Sequence, residues 1–204
     1  SFVKVDVVNG DFARSGGLQT VLFFTDNINP PRKINVDRAI TGAYSSVNQR
    51  EFDYSLNCIK APNVYEPKAS FTTDKAIDTN LFRDEAFQFA TQIVYKDGEE
   101  SAISPYSKLA IPTQLTVYNI GEIGFGLSAE SLLSSPDVSK LRILFRSGNN
   151  GAFNIADELP LNVSTTRSVS GSPITIFNGT NNFRFYNDRV VAPVAPSEVN
   201  KLFD

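Results

Sequence analysis

The sequence predicts an all-β fold, an antiparallel β-sandwich with an additional small β region and little helix. Three observations carry that expectation. Sixteen Phe and seven Tyr stand among many Val, Ile and Thr, the residues that suit a pleated, half-buried surface. The apolar runs are short and alternate with period two. Between them lie clusters of Gly, Asn, Asp and Pro, the punctuation of hairpins rather than of helices.

Phe2–Val8 alternates and then meets Asn9-Gly10, a strong turn signal. Gln19–Thr25 is apolar enough to be buried on both faces, Asp26–Pro31 turns the chain, and Arg32–Val36 returns. The paired prolines have no N–H to give a ladder, which places them in the loop or on an edge. Ala61-Pro62-Asn63 and Glu66-Pro67 read as an extended connection. The clearest strand is Phe87–Tyr95, with Phe87, Phe89, Thr91, Ile93 and Tyr95 on one face. It leads into a hairpin at Lys96-Asp97-Gly98-Glu99, where glycine supplies the positive φ. Glu100–Ser104 is expected to return, and Lys108–Ile111 to begin another strand.

Further strands are expected at Gln114–Ile120, Leu141–Arg146, Ala152–Ala156, Ile174–Phe177 and Phe183–Tyr186. Ser147–Gly151 supplies a turn, the Ser/Thr-rich run 164–172 reads as polar connection, and Ser128–Leu133 as the one short helical stretch. Residues 1–42 thus form a small β region, 43–79 an extended linker, 80–190 the sandwich and 191–204 a return segment. The absence of any Met and the uncapped C-terminus are expected of a piece of a longer protein.

Composition removes whole classes of chemistry. There is no His, so the commonest general base and transition-metal ligand is missing, and with it every Ser–His or Cys–His site. The single cysteine, Cys58, has no partner for an intrachain bridge and reads as a small packed hydrophobe rather than a nucleophile. A net charge of −3 gives no basis for binding nucleic acid or acidic lipid. No apolar run approaches the ~18 residues of a spanning helix. The expectation is a protein that is not an enzyme, with no catalytic, cofactor-binding or metal site residues and no cofactor.

Several constellations deserve weighing. Asp97, Glu99 and Glu100 are the densest acidic cluster, but an EF-hand spreads its oxygen ligands over about 12 residues; an exposed hairpin tip is expected. Asp84 and Glu85 are half of a possible glycosidase pair, which requires a second carboxylate about 5–9.5 Å away; a solvated strand entry is expected. Arg14-Ser15-Gly16-Gly17 lacks the Lys-Ser/Thr ending of a phosphate loop and reads as a turn. Asn162-Val163-Ser164 and Asn178-Gly179-Thr180 match the glycosylation pattern, which arises by chance in such chains. Tyr44, Tyr54, Tyr65, Tyr106 and Tyr118 are candidates for stacking on a ligand or, more simply, for packing.

The stretch Phe87–Ser107, with its aromatic alternation, Tyr-Lys-Asp-Gly-Glu turn and Ser-Ala-Ile-Ser-Pro-Tyr-Ser, resembles the strand C, hairpin and strand C′ region of fibronectin type III-like modules. Phe24–Asn35, Val138–Arg146 with Gly151–Phe153, and Phe183–Asp188 with Ser197–Asp204 resemble, in that order, segments of the tail nozzle (muzzle or stabilisation) proteins of crAss-like short-tailed bacteriophages. The resemblance implies a virion protein of the tail channel, in a homo-oligomeric ring of the intact parent and beside other tail proteins, with no catalytic residues. The rival expectation is a fibronectin-like recognition module for a host-surface glycan or protein. A third is a carboxylate-dependent hydrolase fragment.

Overall fold

A computed structural model describes residues 4–13, 17–42, 45, 56–58, 60, 63–82, 85–96, 98–112, 119–125, 138–161, 163–179 and 182–196, with the backbone alone over 4–19. The first region is a three-stranded antiparallel sheet of β1 (Lys4–Ala13), β2 (Gly17–Thr25) and β3 (Arg32–Asn35), in that order. Asn9-Gly10, expected to turn, lies inside β1. Asn9 faces Thr20, Gly10 faces Gln19, and the register shifts between Gly10 and Ala13. The glycine serves a bulge there rather than a reversal. The expected turn at Asp26–Pro31 is present, with Asn27 at φ 61° and the Asp26 carboxylate accepting from the Ile28 and Asn29 N–H groups at 3.0 and 2.8 Å.

β3 runs into a short helix, α1 (Val36–Ile40), where the sequence reading expected only strand. The cause is Asn35. Its side-chain oxygen accepts from the Arg38 N–H at 3.1 Å, the N-cap bond that satisfies an otherwise orphaned helix donor.

Two further sheets pack face to face. One holds β4 (Lys68–Thr72), β6 (Ile120–Gly124), β11 (Asn182–Phe185), β10 (Ser172–Asn178) and β9 (Ser164–Val169), in that order. The other runs β12 (Ala192–Pro193), β8 (Asn154–Pro160), β7 (Val138–Ser147), β5 (Phe87–Tyr95). Every neighbouring pair is antiparallel. The molecule is all-β with antiparallel sheets, as the composition predicts.

Several boundaries differ from expectation. Part of the stretch expected as linker is β4, because Ala69 and Phe71 pack on the inter-sheet core. The expected return segment likewise begins with β12. The polar run 164–172 is β9 and the turn that follows. Its exposed residues are Ser164, Thr166 and Ser168, and they alternate with half-buried Thr165 and Arg167 and buried Val169; β-branched Thr fits a strand without looking apolar. β8 starts two residues later than expected and continues to Pro160. β6 at Ile120–Gly124 begins at the last residue of the strand expected at Gln114–Ile120; residues 113–118 and the helical expectation at Ser128–Leu133 lie outside the described residues.

The core follows the alternation of β5. Phe87, Phe89 and Ile93 point between the sheets and meet Leu141, Ile143 and Phe145 of β7 and Phe183 and Phe185 of β11. Phe185 is the hub. Its ring centroid lies 4.9 Å from Phe145, 5.2 Å from Phe89, 5.5 Å from Phe87 and 6.0 Å from Phe82. Such pairs each add about 0.5–1.5 kcal/mol beyond the apolar area they bury. On the opposite face of the four-stranded sheet, Ala90, Leu144 and Ile155 are covered by Ile103, Phe153 and Val194.

Candidate functional site

The places where this molecule has most to offer a partner are its strand edges and its charged side chains, and the first edge is already occupied. β5 pairs with β7 on one side. Along the other side runs the segment 99–110. The hairpin between them closes with a Gly98 N–H to Tyr95 carbonyl bond of 3.0 Å and a Tyr95 N–H to Glu99 carbonyl bond of 2.8 Å. Gly98 has φ 84°, the left-handed conformation of a three-residue hairpin loop; Asp97 lies outside the described residues.

Beyond the hairpin the returning chain is no ordinary strand, although the sequence suggested one. The N–H groups of Ser101, Ser104 and Ser107 donate to the carbonyls of Ile93, Thr91 and Phe89 at 2.9, 2.8 and 2.8 Å. The three hydroxyl oxygens accept in return from the N–H groups of Ile93, Thr91 and Phe89 at 2.9, 2.8 and 3.0 Å. Each hydroxyl then donates to the next carbonyl along, of Ala102, Pro105 and Lys108. Ala110 and Phe87 finish the series with reciprocal backbone bonds of 2.8 Å. Three residues here advance along two of β5, roughly 6.8 Å, so the segment is too compact to offer its own carbonyls in register. Serine supplies the missing acceptor. A Ser-x-x-Ser-x-x-Ser spacing is the signal that sequence reading overlooked.

Of the acidic residues singled out from the sequence, Glu85, Glu99 and Glu100 lie among the described residues, and each is held by a cation or donor. Glu99 pairs with Lys33 of β3, tying the small sheet to the hairpin, and Glu100 pairs with Arg142 Nη1 at 2.8 Å. The hairpin tip is exposed at Lys96, Gly98 and Glu100, as expected, and its two glutamates also act as staples. Glu85 Oε2 accepts from Ser147 Oγ at 2.7 Å; its neighbour Asp84 lies outside the described residues. Glu158 receives Lys140 and both Nε and Nη2 of Arg142. Burial works to raise its pKa, but the bonds from Lys140 and Arg142 outweigh burial and hold it below the ordinary glutamate value. Asp26, in the exposed β2–β3 turn, is held at about 2, chiefly by the Asn29 backbone N–H.

A further charged cluster that sequence reading missed joins the two sheets. Asp157, only 7% exposed at its side chain, stands on β8 behind a bulge at Ala156 that leaves it opposite Ile143. Arg189 Nη2 donates to its Oδ1 at 2.6 Å. Arg167, from β9 in the other sheet, brings Nε to 3.6 Å from Oδ2 and forks onto both oxygens of Asp188. Burial works to lower the Arg167 pKa, yet the Asp188 bond and the Asp188 and Asp157 charges outweigh it and raise it. A planar guanidinium suits such bidentate pairing.

The remaining candidates are structural or out of view. Cys58 is half-buried, and burial pushes its thiol up, which disfavours the reactive thiolate. Tyr106 packs on Phe153 at 4.9 Å, and the Arg146 guanidinium lies over both rings at 5.1 and 4.8 Å. Tyr65 is exposed; Tyr44, Tyr54 and Tyr118 lie outside the described residues. Gly17 begins β2, while 14–16 lie outside the description. Asn178 is exposed at the end of β10, and Ser164 Oγ donates to the Phe177 carbonyl at 3.1 Å; Asn162 and Thr180 lie outside it. A shallow groove of about 220 Å³ crosses the five-stranded sheet beside Glu122, Asn178, Asn182 and Arg184, but its two rings, Phe177 and Phe183, are buried and present no stacking face. Among the described residues no three His, Cys, Asp or Glu side chains cluster as a metal site would require. No protein-family model matches this sequence, and no curated protein matches it either.

Proposed function

We propose that this chain is a structural component of a bacteriophage tail, a segment of a nozzle or muzzle protein that acts in assembling the tail channel and carries no catalysis. The observation that carries the reading is the use made of the charged side chains. The glutamates flagged by the sequence and the buried Asp157 are each engaged within the chain, binding hairpin to sheet and sheet to sheet. A hydrolase would need a pair of carboxylates free to reach a substrate. The ordered nozzle-like segments supply the particle, and the family's ring supplies the partners: copies of the parent and other tail proteins.

The connectivity supports the fibronectin type III-like part of the proposal. In such sandwiches strands B and E share one sheet, while C′, C, F and G run in order across the other. β4 and β6 stand as B and E. Segment 99–110, β5, β7 and β8 stand as C′, C, F and G. β11, β10 and β9 are then an addition on the far side of β6. The recognition-module reading gains little, since the groove on that addition lacks an exposed ring. Electron cryo-microscopy of the virion that encodes this chain tests the proposal. Density for the sandwich within the tail is expected; its location in capsid or fibre, or its absence from the particle, overturns it.

A further inference from the structure

The outer strands are β4 and β9 of one sheet and β5 and the two-residue β12 of the other, with β8 largely uncovered behind β12, and these edges are finished differently. β5 is sealed by the serine series. β8 is capped over its first half by β12 and by backbone bonds from Val191 and Val194, and its second half is distorted by the Ala156 bulge and ends in Pro160, devices that discourage added strands. β4 and β9 carry neither. Among the described residues, the backbone bonds to either strand come from its sheet neighbour or, for Thr72, from Asn119 just before β6.

The two open edges bound the same five-stranded sheet, at opposite ends. Each shows an unfinished contact. On β4 the inward-facing Ala69 and Phe71 pack on the core yet stay half-exposed. On β9 the hydroxyl of Thr165 is buried with no hydrogen-bond partner. The exposed outward side chains are Lys68 and Ser70 on β4 and Ser164, Thr166 and Ser168 on β9; Lys68 is the one charge among them, so the two edges approach without like charges opposed and with favourable hydroxyl pairs.

We infer that β4 of one copy of this chain pairs with β9 of the next, extending the five-stranded sheet from molecule to molecule. A second copy is the occupant because it fills both edges with one contact, whereas a foreign strand fills one. The topology also fixes the direction. An odd number of strands, each antiparallel to its neighbour, leaves β4 and β9 running the same way. Copies in the same orientation therefore meet through a parallel pair, and the contact is heterologous, able to close or propagate. A twofold dimer would instead pair β4 with β4, or β9 with β9, antiparallel. A single short ladder buries far less than the ~1,200 Å² of a stable complex, so the isolated chain associates transiently and needs trapping.

Cysteines at Ser70 and Thr166 trap it. Adjacent strands lie about 4.8 Å apart, within disulfide reach, while within one molecule the two positions are separated by four strand spacings, roughly 19 Å, and cannot bridge. In the full chain carrying Cys58→Ser, the double variant Ser70→Cys/Thr166→Cys, oxidised with diamide at high concentration, is expected to give dimers, trimers and a longer ladder. Each single variant is expected to stay monomeric, and adding Ser168→Pro, which removes an edge donor, is expected to abolish the ladder with an unchanged circular-dichroism spectrum. Monomer alone from the double variant, dimers from either single variant, or a ladder that survives Ser168→Pro overturns the inference. It stands on the edges alone, so its failure leaves the tail reading untouched, and the reverse holds too.

Discussion

β5 and β9 are both outer strands of one sandwich, anchored on the same core, yet one is chemically complete and the other is not. On β5 every second N–H and C=O that faces outward finds a serine hydroxyl or a backbone group. On β9 the side chains bond back to β10, and among the described residues the outer edge receives no backbone bond. The difference teaches that hydrogen-bond completion in this molecule is local rather than a property of strands as such. It occurs where a three-residue repeat of serine allows it, and the open edges lie at opposite ends of the other sheet.

The most damaging way to break the comparison is to remove the core on which both strands rest. Phe185→Ala takes out the ring that touches Phe82, Phe87, Phe89 and Phe145, and is expected to cost about 4 kcal/mol by urea unfolding. Loss under about 1 kcal/mol, less than a buried ring of this kind contributes, would place the core elsewhere. Arg167→Met is expected next, at about 3 kcal/mol, because it leaves the buried Asp157 with Arg189 alone and strips Asp188 of its fork.

A sharper comparison comes from the edges themselves. Ser104→Ala leaves the buried Thr91 N–H without its acceptor and is expected to cost about 2 kcal/mol. Thr166→Ala on the open edge is expected to change stability by no more than about 0.5 kcal/mol. Equal effects of the two substitutions would erase the distinction. The smallest effect is a titration. Glu158 is depressed in the folded state, so the stability it contributes is present above the ordinary glutamate pKa and is lost as pH falls through its folded value. Solvent screening keeps that contribution small. Unfolding measured between neutral and strongly acidic pH should show a shallower acid loss in Glu158→Gln than in the parent chain, and the same curve for both would remove Glu158 from the acid response.

Much of this was legible in the sequence where burial and periodicity agree. Phe87, Phe89 and Ile93 alternate on the core face as read, and Gly98 takes the positive φ its turn demanded. Legibility failed where polar side chains replace something else. Ser101, Ser104 and Ser107 act as backbone acceptors, so a pattern of period two missed a segment of period three. β9 hid because Ser and Thr fill its outer face and its inner face carries Thr165 and Arg167 before a single apolar residue, Val169. Asn35 stops a strand by capping a helix, and Asn9-Gly10 serves a bulge although the dipeptide usually turns. Asp157 and Arg167 lie ten residues apart in sequence but on different sheets, and nothing local announces the pair.

Amide hydrogen exchange on the dilute, monomeric chain compares the two edges most directly. The N–H groups of Phe89, Thr91 and Ile93, each donating to a serine hydroxyl, should exchange only through large-scale opening, at rates like those of the central strand β7. Those of Thr166 and Ser168 should exchange orders of magnitude faster. If the amides of Phe89, Thr91 and Ile93 exchange as fast as those of Thr166 and Ser168, the serine series does not seal β5 and the contrast between the edges is wrong.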